Sequence, residues 1–311
     1  MRIVFFGTAE FGEPTLRMLN REHAVDAVVT TPDTKRGRGR KELPPPMKTV
    51  ADELGLRVLQ PADLEDTGFV KKLSAVGADL FFVVAFRILP PAVFGLPPKG
   101  TVNLHASLLP DYRGAAPINW AIVNGDDRTG LTTFFITEEV DTGDIILTEE
   151  VAIGPDETAG ELYDRMKMTG GDLAARTVTL IEQGEARPRK QPPAAGRPAP
   201  KLSREDGRID WSASARAVHN LVRGMTPLPG AYSESRMGPV KILRTEVIDE
   251  GTSGAPGRIL ACSTSDGIIV SCGRGSVRII EMQPPGRRVV SSGSFVCGHR
   301  VEEGMTVRDI I

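Results

Sequence analysis

Six short β-rich runs, spaced by segments of helical period, constrain the first 180 residues of this chain more than any other feature. They are RIVFFG (2–7), AVDAVVT (24–30), RVLQ (57–60), DLFFVVA (79–85), TVNLH (101–105) and GLTTFFI (130–136). Helical patterns fall at 15–20, 47–55, 66–76 and 115–124, and a long one, 157–184, follows the last run. Runs that are apolar on both faces and alternate with helices predict a parallel sheet covered on both sides. In such folds ligands bind beyond the carboxyl ends of the strands, near the switch in strand order.

The pattern changes after RPRKQPPAAGRPAPK (187–201), which carries five prolines and five basic residues. That composition forbids a helix or a central strand and reads as a linker. Beyond it a short helix (212–224) precedes five short strands: AYSES, VKILRTEVI, GRILAC, GIIVSC and SVRIIEM. Short strands divided by Gly- and Pro-containing turns predict a small β-barrel. The expected organisation is a first domain over 1–186 with an inserted basic loop at 31–48, a Pro/basic linker over 187–203, and a second domain over 204–311.

At 311 residues, 40% of them hydrophobic, the chain can bury two cores of ordinary size. Its longest apolar runs, such as LFFVVAF (80–86), are less than half of a membrane span, and Gly7 and Glu10 break any signal-peptide pattern at the start. Cys262, Cys272 and Cys297 lie far apart with no C-x-x-C, as expected for free thiols in a cytoplasmic protein. The overall charge of −2 hides an asymmetry. Residues 1–186 carry 19 basic and 28 acidic side chains, and residues 187–311 carry 19 and 12. A basic second half is a candidate surface for a polyanion, although chance composition produces the same imbalance.

Several chemistries are excluded. GTAEFG (7–12) has neither the G-x-G-x-x-G spacing nor the following Lys-Ser/Thr of a phosphate loop, and reads as a tight strand-to-helix turn. The single D-T-G at 141–143 lacks the second carboxylate that an aspartic protease requires. The four histidines, His23, His105, His219 and His299, have no metal-ligand spacing, so no metal is expected. No G-x-S-x-G elbow is present.

One polar pair remains unexplained. Asn103 and His105 lie two residues apart on a strand and so point to the same face. With Asp141, expected at or just beyond the carboxyl end of a neighbouring strand, they could hold a developing oxyanion while a proton is moved. The alternative is a structural histidine satisfied by a loop carboxylate. A second conspicuous element is TPDTKRGRGRKELPPP (31–46), in which five of the seven residues 35–41 are basic. On the ligand-binding edge of the sheet, such a loop could grip nucleic-acid phosphates or simply be solvated.

Nearly the whole chain resembles the methionyl-tRNA formyltransferase family. NLHASLLPDYRGAAPI (103–118) is similar to the family's N-x-H-x-S-L-L-P-x-x-R-G-x-x-P-I core, and EEVDTGDI (138–145) to its D-T-G-D loop. GRGRK in the inserted loop, LSREDGRIDWS (202–212) and VRGMTPLPGAY (222–232) are also similar. The resemblance implies a Rossmann-like formyltransferase domain followed by an OB-like barrel that binds tRNA. It implies catalytic roles for Asn103, His105 and Asp141, with 10-formyltetrahydrofolate as donor and initiator methionyl-tRNA as acceptor. Ser107, Leu108, Leu109 and Pro110 match the family's folate-contacting stretch, and Phe86, Arg87, Ile88 and Leu89 match a segment lining the pterin pocket. Arg38 matches a loop arginine that reaches the acceptor stem, with Arg36, Arg40 and Lys41 beside it. A monomer without a membrane partner is expected. Two alternatives stay open: a folate-dependent formyltransferase acting on a small amine, such as glycinamide ribonucleotide or an amino sugar nucleotide, and a non-catalytic RNA-binding protein.

Overall fold

The chain begins with β1 (Arg2–Gly7), a 3-10 turn at Glu10–Gly12, α1 (Glu13–Glu22) and β2 (Ala24–Val29). A short hairpin, β3 (Thr34–Arg36) and β4 (Lys41–Leu43), precedes α2 (Pro46–Glu53), β5 (Arg57–Leu59) and α3 (Thr67–Ser74). Then come β6 (Leu80–Val84), α4 (Pro91–Phe94), β7 (Thr101–His105), the two-residue β8 (Arg113–Gly114) and α5 (Pro117–Val123). The chain continues through β9 (Arg128–Phe135), β10 (Ile145–Ala152), α6 (Ala159–Gln183) and β11 (Pro198–Ala199). The last third holds α7 (Ala215–Met225), β12 (Ala231–Ser235), β13 (Gly238–Asp249), β14 (Ile259–Ser263), β15 (Gly267–Ser271), β16 (Ser276–Gln283), β17 (Val290–Ser291) and α8 (Ser292–Gly298). These elements come from a computed structural model that describes residues 1–36, 41–192, 196–251 and 254–310.

Seven strands form the first sheet, in the order β10-β9-β7-β6-β1-β2-β5. The five from β7 to β5 are parallel, as their two-sided burial requires. Val4 and Phe6 of β1 join Ala27, Val29, Phe81 and Val83 and the apolar side of α3 (Phe69, Leu73) on one face. By strand alternation Ile3 and Phe5 point to the other face, where Met47 of α2 reaches Phe5 across Gly7 and Gly12. The Asp66 carboxylate caps α3 by accepting a hydrogen bond from the Phe69 N–H at 2.7 Å.

One strand departs from the sequence expectation. β9 runs antiparallel to β7, with Val102 opposite Phe135 and His105 opposite Thr132. A parallel return needs a crossover helix laid on the sheet. The only helix between β7 and β9, α5, groups instead with the second compact unit of the chain. α6 supports β7 from behind: a Cβ on Gly170 would lie 2.9 Å from the Leu104 side chain, and one on Gly171 would lie 3.2 Å from the Pro14 carbonyl. Leu104 alternates with Asn103 and His105, so the helix packs on the opposite face and leaves theirs to the loops.

Two compact units divide the chain: Met1–Gly114, Thr129–Val151 and Tyr163–Pro198 in one, and Ala115–Arg128, Ala152–Leu162 and Ala199–Ile311 in the other. Segments 115–128 and 152–162, which precede the proline-rich stretch, therefore group with the C-terminal unit. There the five anticipated strands are all present and antiparallel, in the order β12-β13-β16-β15-β14, with β17 added on β16. Val218, Val222 and Met225 of α7 pack into the sheet's core with Val240, Ile242, Ile268, Val277 and Ile279. No helix among the described residues is long and apolar enough to cross a membrane.

A buried histidine ties α7 to this unit. His219 Nδ1 lies 3.0 Å from the Thr245 hydroxyl and Nε2 lies 3.2 Å from the Pro155 carbonyl. Because a carbonyl only accepts, Nε2 carries the hydrogen. Burial pushes this imidazole below the ordinary histidine range, against the opposing pull of the Pro155 carbonyl. The unfolded chain therefore takes up the proton first as pH falls below about 6.5, and stability present above that value is lost on acidification. His23, also lowered mainly by burial, contributes with the same sign. Thermal melts at pH 7.5 and 5.5 should show a smaller acid-induced drop in Tm for His219→Gln than for the wild type. Equal drops would contradict this role.

Candidate active site

β7 presents its polar pair as the period of a strand dictates: His105 is 7% exposed and Asn103 is partly exposed. Two loops converge on the imidazole. The first, 106–114, follows β7 directly. The Ser107 hydroxyl donates to the Asp111 carbonyl at 2.5 Å, and the Asp111 N–H donates to the Leu108 carbonyl at 3.1 Å, which closes a turn around the cis Leu109–Pro110 bond. Thr132, opposite His105 in the register, fastens this turn to the sheet: its hydroxyl donates to the Ser107 carbonyl at 2.6 Å and accepts from the Leu109 N–H at 3.2 Å.

The turn delivers the carbonyl of Tyr112 to within 2.8 Å of His105 Nε2. Nε2 must therefore carry the hydrogen, and the neutral ring has its lone pair on Nδ1. Tyr112 is itself over-determined. Its N–H donates to the Arg197 carbonyl at 2.6 Å, and the Arg197 guanidinium lies over its ring at 4.8 Å from the centroid.

The second loop, 136–144, brings Asp141. Because β9 is antiparallel, its carboxyl end lies beside Val102, at the far end of β7 from His105. Asp141 lies beyond the carboxyl end of the neighbouring strand β9, but because that end is remote from His105 the loop folds back and places Asp141 Oδ2 3.8 Å from His105 Nδ1. The same oxygen accepts the Gly114 N–H at 3.0 Å, and the side chain is 12% exposed. At 3.8 Å carboxylate and imidazole are not hydrogen-bonded to each other, but they are close enough for one atom to bridge them.

The backbone is strained here. Among the described residues, Ala85, Tyr112 and Asp141 are the non-glycine residues at positive φ, with values of 48°, 60° and 57°. All three belong to the loops that follow β6, β7 and β9. Such conformations persist where the surroundings over-determine them, and they cluster at functional sites.

The remaining sequence-predicted residues are placed unevenly. Leu108 and Pro110 are partly exposed, whereas Ser107 is fully buried and Leu109 packs with Phe134 and Ile145. Phe86 sits edge-on against Phe6, and Leu89 is in the core. The Arg87 guanidinium donates to the carbonyls of Pro61 and Ala62, pinning that loop, while Ile88 is 74% exposed. Arg36 and Lys41 are the last paired residues of the β3–β4 hairpin. Arg38 and Arg40 lie outside the described residues. Among the described residues no cluster of His, Cys, Asp or Glu could hold a metal ion. Sequence reasoning missed the parts played by Tyr112, Thr132 and Gly114, which act through a carbonyl, a small hydroxyl and an N–H; Gly114 lies in the matched R-G, but a motif does not say what its N–H holds.

Two family models match this architecture, "Formyl transferase" over residues 1–178 and "Formyl transferase, C-terminal domain" over residues 201–300, and together they define the class. A protein of Citrifermentans bemidjiense named methionyl-tRNA formyltransferase is 46% identical over 306 residues, covering 98% of this chain and 95% of that protein. One of the same name from Acetivibrio thermocellus is 44% identical, covering 98% of each. The chain belongs to the methionyl-tRNA formyltransferase family. Two solved structures share the fold. The Helicobacter canadensis N-formyltransferase in complex with folinic acid and dTDP-3-aminofucose matches with a TM-score of 0.67 at 18% identity, over 91% of this chain and 98% of that one. HypX from Aquifex aeolicus in complex with tetrahydrofolic acid matches with a TM-score of 0.63 at 21% identity, over 95% of this chain but 47% of that one, so this chain spans about half of HypX.

Gly143 tests the loop geometry. A Cβ there would lie 1.7 Å from the Phe135 carbonyl oxygen, so no side chain fits without moving the loop. Gly143→Ala should lower the unfolding free energy by at least about 2 kcal/mol in urea denaturation, the cost of an overpacked site with backbone displacement. A wild-type midpoint and slope would contradict the fold of this loop.

Proposed function

We propose that this protein transfers the formyl group of 10-formyltetrahydrofolate to the α-amine of methionine on initiator methionyl-tRNA, acting as a cytoplasmic monomer. The observation that carries the reading is likeness over nearly the full length to relatives bearing that name, C-terminal unit included. Asn103, His105 and Asp141 are the groups assigned to the chemistry. The neutral amine attacks the formyl carbon and the formyl oxygen gains negative charge. The Asn103 amide and the Nδ1–H of protonated His105 donate to that oxygen, while Nε2–H stays on the Tyr112 carbonyl. Asp141, already oriented by the Gly114 N–H, balances the imidazolium and relays through water the proton that leaves the amine for the departing folate nitrogen.

The donor is assigned to the surface at the strand ends. A pterin needs a flat apolar wall and exposed backbone polar groups. Ile88, at 74% exposure, and the partly exposed Leu108 and Pro110 supply apolar surface. Ser107, Leu109, Phe86, Arg87 and Leu89 would act by shaping the backbone of their segments. Arg38, with Arg36, Arg40 and Lys41, is assigned to the tRNA acceptor stem, and the C-terminal unit to the rest of the tRNA.

A formyl-transfer assay comparing methionyl-tRNA with free methionine, glycinamide ribonucleotide and a dTDP-amino sugar separates the readings. Only methionyl-tRNA should be formylated efficiently; preference for a small amine would move the chain to the alternative reading. Asn103→Ala and His105→Ala should each lower kcat by about 10²–10³ with folate binding kept, the usual loss for one oxyanion donor. Near-normal turnover in either variant would contradict the site. Arg38→Ala should raise KM for the tRNA and flatten its salt dependence, as loss of a phosphate or stem contact does. Unchanged tRNA kinetics would return that loop to a solvated role.

A further inference from the structure

Residues 189–191 and 196–197 of the segment that composition marks as a tether pack against the two loops of the candidate site. Arg189 and Ile145, the first residue of β10, exchange a pair of backbone hydrogen bonds, each 2.8 Å. Two residues on, the Gln191 side-chain amide reaches the catalytic loop. Its Nε2 donates to the Asp141 carbonyl at 2.8 Å and to the Gly143 carbonyl at 2.9 Å. Its Oε1 accepts from Arg113 Nε at 3.2 Å and from Arg113 Nη2. Arg113 follows Tyr112, whose carbonyl holds His105, and precedes Gly114, whose N–H holds the Asp141 carboxylate. One amide thus bridges the backbone of the Asp141 loop to the loop that grips the imidazole.

The far end of the same segment reinforces the 106–114 loop. The Arg197 N–H donates to Asp111 Oδ1 at 3.0 Å, and a Cβ on Gly196 would lie 2.4 Å from the Pro110 carbonyl oxygen. Both Asp141 and Tyr112 hold left-handed backbone conformations that a free loop would relax. An amide is well suited to hold the first, because both of its N–H groups meet carbonyls while its oxygen meets a cation.

We infer that Gln191 is a positioning residue for formyl transfer: it fixes the Asp141 loop against the His105 loop, so that residues 189–191 of the proline-rich stretch belong to the active site as well as to a connector. The inference rests on the assignment of Asp141 to the chemistry. It calls for an effect on kcat, because neither loop's exposed surface is altered. Removing the amide lets the Asp141–His105 separation drift, and misplacement by about 1 Å can cost up to about 10²-fold in rate.

The test is a double-mutant cycle in the full-length enzyme, read as steady-state kcat and KM for both substrates together with Tm. Gln191→Met, of similar shape but without hydrogen bonds, should lower kcat by about 10- to 100-fold and leave both KM values within about 3-fold. In an Asp141→Asn background the same change should cost almost nothing, because residues acting as one unit are not additive. Gln191→Glu serves if the Met variant fails to fold. It keeps the Arg113 partner but sets a carboxylate against two carbonyls, and should show the same loss and the same cancellation. A Gln191 variant with wild-type kcat, or one whose loss is equally large beside Asp141→Asn, would overturn the inference. Wild-type turnover by Asp141→Asn alone would instead overturn the catalytic reading on which it rests.

Discussion

An imidazole with one nitrogen already committed is the constraint on which the site depends. His105 Nε2 lies on the Tyr112 carbonyl at 2.8 Å, so the ring has a fixed orientation and only Nδ1 is left to face Asp141. A histidine with two free nitrogens could rotate and change tautomer. Here rotation breaks a buried hydrogen bond, and an unpaired buried carbonyl costs roughly 1–3 kcal/mol. The arrangement converts a flexible acid–base group into one with a single direction. The neighbouring amide of Asn103 shares that direction because both side chains stand on the same face of β7.

The rest of the first unit holds that geometry in place. The parallel strands bury Val4, Phe6, Phe81 and Val83 on one face and so keep β7 from shifting in register, since a one-residue slip would send Asn103 and His105 to the helix side. Gly170 lets α6 press against β7 from behind, and Gly171 lets it approach α1. On the front, Thr132, Gln191 and Arg197 secure loops whose backbones are locally strained at Tyr112 and Asp141. Stability in the sheet thus sustains strain in the loops, a common division in enzymes built on α/β sheets.

Much of this was legible in the sequence, and the failures have physical reasons. The strand and helix patterns located β1, β2, β6 and β7 because apolar runs bounded by glycine and proline carry a strong local signal. The polar pair on β7 followed from the two-residue period alone. β10 was missed because Glu149 and Glu150 interrupt its apolar pattern, as suits a strand at the sheet's edge. The sense of β9 and the return path of Asp141 depend on where α5 packs, which no local pattern encodes. Gln191 was invisible because a proline-rich composition says what a segment cannot be, not what its polar side chains touch. Ser107 and Leu109 belong to a matching motif, yet their side chains are buried and serve the shape of the turn.

The central claim of the proposed function is that the Asn103 amide and His105 Nδ1 hold the oxygen of the transferred group, with the Asp141 carboxylate behind the imidazole. The most direct measurement is a crystal structure with a stable analogue of 10-formyltetrahydrofolate that carries the formyl group. The account predicts the formyl oxygen within about 3 Å of both the Asn103 amide nitrogen and His105 Nδ1, with Nε2 still on the Tyr112 carbonyl. A formyl group turned away from both donors, or an imidazole that has left Tyr112 to bind elsewhere, would contradict it.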